Sequence, residues 1–174
     1  MIPLRTFMAA NFGRPRDAFL KDVHEPHLLL RQRLRCGSSE SAPTERVIEA
    51  ATAGPGNPML LPVRKTAGAN DFATMVTLGR APGNDIVIPD ARVSRLQAFF
   101  RQDRGWWALG DVCSTNGTTV DGKRVTREHL AMLSSGARIR LADVLEVQFL
   151  DPEGLFRLLL DESLRALVNR AQAG

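Results

Sequence analysis

Residues 98–120 read Ala98-Phe99-Phe100-Arg101-Gln102-Asp103-Arg104-Gly105-Trp106-Trp107-Ala108-Leu109-Gly110-Asp111-Val112-Cys113-Ser114-Thr115-Asn116-Gly117-Thr118-Thr119-Val120. Three strand-like runs lie in this stretch, at 98–102, 106–109 and 118–120, and Gly, Asp or Asn fills each gap. Trp106 and Trp107 are adjacent on one run, so they point to opposite faces, one toward a core and one away from it. The same texture spreads outward. Further runs at 59–65, 74–78, 85–88, 138–141 and 145–149 recur at roughly the 8–12-residue spacing of a β-sandwich or barrel. Val120-Asp121-Gly122-Lys123 reads as a hairpin with a two-residue Asp-Gly turn.

The flanks differ from this centre. Asp151-Pro152-Glu153 reads as an N-cap followed by a first-turn proline, opening a helix that places Phe156, Leu160, Leu164 and Leu167 on one face. That face is expected to lie against the sandwich or a partner. Before residue 59, Arg14-Pro15-Arg16-Asp17 opens a short helix through Phe19, Leu20 and Val23. From His27 to Arg35, Leu28, Leu30 and Leu34 alternate with Leu29, Arg31, Arg33 and Arg35, the pattern of a half-buried added edge strand with its arginine side in water. Segments 37–43 and 52–58 have linker composition, and 45–51 is ambiguous between helix and strand. The expected organisation is an N-terminal extension over 1–58, an all-β domain over 59–150 and a closing amphipathic helix over 151–174.

Composition narrows the function. The 174 residues include 23 Lys+Arg against 19 Asp+Glu, with 44% apolar and 24% charged residues, as in a folded soluble domain. Twenty of the basic residues are Arg and three are Lys, a mild bias toward recognition of carboxylate or phosphate. The charge is not gathered into a basic tail. It sums to +4 over 1–70, +1 over 71–150 and −1 over 151–174, so a nucleic-acid partner is not expected. No apolar run approaches the ~18 residues of a membrane span, and the N-terminus has no signal-peptide core. Two lone cysteines, Cys36 and Cys113, provide neither a disulfide framework nor a cysteine zinc site, and make a reducing cytoplasm the expected compartment.

Catalytic and metal motifs are missing. Gly117 to Lys123 spells G-x-x-x-x-G-K, but Arg124 stands where a P-loop has Ser or Thr, and the context is a hairpin. His24 and His27 flank Pro26 without a third ligand, and read as surface histidines before a strand. Neither an enzyme nor a cofactor is expected.

The strongest polar set lies in three inter-strand loops. These carry Gly79-Arg80, then Val93-Ser94-Arg95, then Ser114-Thr115-Asn116-Gly117-Thr118. Loops of a sandwich gather at its ends, so such sets can meet on one rim. Arginine, hydroxyls and loop amides together suit a phosphate dianion, and Asn can clamp a peptide backbone.

In order and spacing, these blocks resemble the signature of the forkhead-associated (FHA) domain. Asn84-Asp85-Ile86, Val120 to Arg124, Leu133 to Gly136 and Ile139 to Leu141 extend the resemblance over roughly 59–150. It implies an eleven-stranded β-sandwich that binds phosphothreonine peptides through apical loops and does no catalysis; separately, the excess of Arg over Lys suggests a GC-rich bacterial genome. By resemblance, Arg80 and Ser94 contact the phosphate, Arg95 reinforces it, Thr115 lines the pocket and Asn116 holds the peptide main chain. Gly79 and Gly117 serve backbone geometry, and Arg92 widens the basic rim. Gln97 stands where the family usually has His, a residue implied to brace the loop from behind, so some pre-organisation is expected to be lost. Ala137 and Ala142 also replace the usual Asp and Gly. The expected partner is a phosphothreonine-containing protein, a kinase or a kinase substrate. The alternative keeps the fold but drops the phosphate, leaving a scaffold or homo-oligomerisation module that uses the closing helix and the N-terminal strand.

Overall fold

Turn chemistry sets the register of the strands. The computed structural model describes residues 1–35 and 57–172. Asp121 and Gly122 have φ of 49° and 81°, the mirror-image turn an Asp-Gly pair favours. They fold β8 (Thr118–Val120) onto β9 (Lys123–Val125), with Val120 opposite Lys123. Arg104 and Gly105, at 48° and 86°, join β6 (Ala98–Asp103) to β7 (Trp106–Asp111) in the same way.

With β4 (Val76–Gly79), β5 (Ile86–Val87) and β10 (Ala131–Leu133), these form a five-stranded sheet of order β10-β7-β6-β4-β5. The facing sheet comprises β1 (Ile2–Pro3), β2 (His27–Leu30), β3 (Met59–Pro62), β11 (Arg138–Leu141), β12 (Leu145–Leu150), β8 and β9. Its order is β1-β3-β2-β12-β11-β8-β9. From β2 to β12 the two sheets hold eleven strands. Their inner faces share one core, in which Phe100 stacks on Phe149 at 6.5 Å and Leu78, Leu109 and Ile139 are fully buried.

A layer of helices covers the outer face of the seven-stranded sheet. It consists of α1 (Leu4–Asn11), α2 (Arg16–Asp22, entered through Pro15) and α3 (Pro152–Gln172). Leu4, Phe19, Leu155 and Leu159 bury against Leu29, Leu60 and Leu150 of the sheet. Asp151 caps α3 by accepting the Gly154 N–H at 2.7 Å.

Three expectations change. The strand from His27 is shorter than the alternation suggested, ends at Leu30, and lies inside the sheet between β3 and β12 instead of at an edge. Helices cover its second face, so Leu29 is buried like Leu28 and Leu30, and a continuous apolar run results. Arg31, Arg33 and Arg35 are exposed beyond the strand. His27 is buried, not at the surface. Desolvation lowers its pKa, although its Nδ1 lies 3.1 Å from the Glu25 carbonyl. In α3, only Phe156 of the expected face packs, at 5.4 Å from Phe19. Leu160, Leu164 and Leu167 are exposed, because Leu155 and Leu159 face the sheet instead. The short elements β1, β10 and α1 were not anticipated. Segments 37–43 and 45–51, most of 52–58, and Cys36 lie outside the described residues.

Candidate functional site

The site grows from the end of β4. Beyond it, Arg80 N–H donates to the Ser94 carbonyl at 3.0 Å, and Ala81 N–H to that of Arg95 at 3.1 Å. The ladder with β6 thus continues into the loops and sets Ser94-Arg95 beside Arg80. The approach is close. A Cβ at Gly79 would lie 2.9 Å from the Arg95 carbonyl carbon, so glycine is required there. Buried Asn84 locks the turn, its Nδ2 donating to the carbonyls of Ala81 (2.8 Å) and Arg95 (2.7 Å).

Gln97 ties this corner to the loop after β7. It is fully buried. Its Oε1 accepts from Ser94 N–H at 3.0 Å, and its Nε2 points at Ser114 Oγ (2.6 Å), the Gly117 carbonyl (2.9 Å) and Thr118 Oγ1 (3.0 Å). Asp111, also buried, accepts from the Ser114 amide (2.7 Å), the Ser114 hydroxyl (2.6 Å) and the Thr118 hydroxyl (2.7 Å). Thr115 N–H donates to Ser94 Oγ at 3.2 Å, which leaves the Ser94 hydroxyl proton available to a ligand. Gly117 has φ +79°, and a Cβ there would lie 2.6 Å from the Arg124 Cζ.

The result is a depression of about 510 Å³. Arg80, Ser94, Arg95, Thr115 and Asn116 all line it, with no carboxylate among the lining residues. The structure therefore brings together the five contact residues expected from sequence, with Gly79, Gln97 and Gly117 behind them. The side chains of Arg80, Arg95 and Asn116 have no hydrogen bond or ion pair among the described residues. Arg92 also lines the depression, but its guanidinium is held by Asp90 at 2.8 and 2.7 Å and does not form a free basic rim.

Asp90 was missed from sequence. It is fully buried and also accepts the amides of Arg35 (2.8 Å) and Arg92 (3.0 Å). Burial by itself raises its pKa. The Arg92 side chain and the two amides outweigh that and hold the carboxyl below its ordinary value. Asp111 and exposed Cys113, with φ 65°, were likewise missed, although Asp111 three residues before Ser114 has the spacing of a side-chain cap.

The two-sheet β-sandwich thus carries a cationic, hydroxyl-rich hollow built from its inter-strand loops. The family model for the FHA domain matches residues 76–142. Among curated relatives, the oxoglutarate dehydrogenase inhibitor of Corynebacterium diphtheriae is 37% identical over 90 residues, covering 52% of this chain and 52% of that protein. The glycogen accumulation regulator GarA of Mycobacterium tuberculosis is 30% identical over 112 residues, covering 60% of this chain and 67% of that protein. The chain thus spans about half the length of the first and two thirds of the second. Among solved structures, Mycobacterium tuberculosis EmbR in complex with a low-affinity phosphopeptide is 28% identical with a TM-score of 0.44, covering 53% of this chain and 22% of that one. The FhaA FHA domain in complex with an intracellular domain is 23% identical with a TM-score of 0.47, covering 71% and 98%. The chain belongs to the FHA-domain family.

Proposed function

We propose that this protein is a phosphothreonine-peptide-binding adaptor in Ser/Thr kinase signalling. The supporting observation is the convergence of Arg80, Ser94, Arg95, Thr115 and Asn116 on one carboxylate-free hollow. Arg80 and Arg95 supply charge-assisted bonds to the phosphate, Ser94 and Thr115 supply hydroxyls, and Asn116 clamps the peptide main chain. The network through Gln97 and Asp111 pre-organises these groups, so little ordering cost falls on the ligand. The partner is a kinase or kinase substrate phosphorylated on threonine, met in the cytoplasm. The protein contributes recognition and no chemistry of its own. No helix among the described residues is long and apolar enough to cross a membrane.

The test is a peptide array of paired phosphothreonine and unmodified probes, followed by fluorescence anisotropy on the best hit. Arg80→Ala and Ser94→Ala are each expected to weaken binding about tenfold or more while leaving the melting temperature nearly unchanged. The wild type should also bind less tightly below about pH 6, as the phosphate takes up a proton. An array without one phospho-dependent ligand removes the reading.

The exposed stripe of Leu160, Leu164, Leu167 and Val168 on α3 favours a second reading, a scaffold or oligomerisation module. A homo-oligomer in solution that ignores phosphothreonine peptides would carry that reading instead.

A further inference from the structure

The outer face of the five-stranded sheet carries a groove that shares no residue with the loop site. Its floor is Ala108 of β7, which offers almost no side chain. In register across Ala108 stand Arg101 of β6 and Met132 of β10. Trp106 closes one end, 66% exposed, and Met132 is 61% exposed. At the other end Phe99 and Leu130 fold over Gly110, where a Cβ would lie 2.6 Å from the Phe99 Cζ. The hollow measures about 420 Å³.

Its charged groups are unspent. Arg101, Arg104 and Arg127 line it without an ion pair among the described residues, as do the carboxylates Asp103 and Glu128. Exposed Trp, Met and Arg around Ala108 have the composition of an interaction hot spot, not of an idle sheet face. The cations outnumber the carboxylates, which selects an acidic occupant.

We infer that this groove docks an acidic segment of a partner protein, with an apolar side chain seated on Ala108 between Trp106 and Met132 and its carboxylates on Arg101, Arg104 and Arg127. The contact is independent of phosphate and stands whether or not the loop site reads phosphothreonine. If it does, one partner can engage both surfaces, and the joint affinity exceeds either alone.

The test uses the full chain and a labelled peptide alternating glutamate and leucine, followed by anisotropy. Saturable binding is expected, weakened about tenfold or more by Trp106→Ala, by the pair Arg101→Glu with Arg127→Glu, and by lysine in place of glutamate in the probe. These side chains are exposed, and unchanged melting curves verify that the variants fold. Arg80→Ala should bind this probe like the wild type, which separates the groove from the loop site. No saturable binding, equal binding of the lysine peptide, or unchanged affinity in both variants overturns the inference. So does a dimer that Trp106→Ala dissociates, since the second copy would then be the occupant.

Discussion

Gln97 shows how one uncharged side chain can hold two loops together. An amide has a carbonyl at one edge and two N–H donors at the other, and Gln97 uses both edges in a fully buried position. Its Oε1 must face Ser94, because a backbone amide can only donate. Gln97→Ala strips the Ser94 amide of its acceptor and takes one donor each from the Gly117 carbonyl and the Thr118 hydroxyl, which keep the Ala142 amide and Asp111, at a cost of about 1–3 kcal/mol. Chemical denaturation should show that loss, and the affinity for a phosphothreonine ligand should fall with it as the loops loosen. Full stability in the alanine variant would show that water replaces the amide. The loop residues themselves were legible from sequence, because Arg, Ser, Thr and Asn at turn positions carry their chemistry openly. Their supports were less so. Asp90 and Asp111 are single acidic residues in a chain that has many, and only folding shows that each gathers several donors.

At the scale of elements, Asp85 joins the segment after β3 to β4 beneath the loops. Its buried carboxylate accepts from the Thr66 and Thr77 amides at 2.8 Å each, from Lys65 Nζ at 3.0 Å and from Asn70 Nδ2 at 3.2 Å. Burial pushes the carboxyl up, but these donors prevail and hold it at about 2, below the ordinary 3.8. The folded state therefore binds this proton less readily than the unfolded one. The stabilisation, about 2 kcal/mol, is fully present above pH 3.8 and disappears as pH falls toward 2. Denaturation midpoints measured from pH 5 to 2 should drop, and Asp85→Asn should flatten that slope while lowering stability at neutral pH. An unchanged slope in the variant would assign the acid sensitivity to other carboxylates. The strands around this network were legible because alternation and Asp-Gly turns are local signals; 118–120 and 138–141 match the observed strands end to end. Short β10 and the two-residue β1 offer too few residues for a period to show.

The molecule has three layers, with the seven-stranded sheet in the middle. Alternate residues of its strands feed two cores: Leu28, Leu30, Leu61 and Phe149 face the sandwich interior, while Leu29, Leu60 and Leu150 face the helices. That second core joins the two flanks of the sequence, since Phe19 meets Phe156 and Arg16 pairs with Glu153 at 2.9 Å. Partners so far apart leave no periodic trace, so the periodic face of α3 did not reveal that Leu155 and Leu159 are the residues that meet the sheet. The arrangement has a thermodynamic consequence. Neither core can dissolve without loosening β2, β3 and β12, and a slip of one residue in any of them would exchange the two faces. The cores should therefore melt together. Leu109→Ala removes a buried side chain from one and Leu155→Ala from the other, at about 2–5 kcal/mol each. Each variant is expected to lower a single calorimetric transition whose measured and van't Hoff enthalpies agree, with near-additive losses in the double variant. If Leu155→Ala instead splits the transition, leaving an upper one at the wild-type temperature, the helical layer is a separate unit resting on an autonomous sandwich.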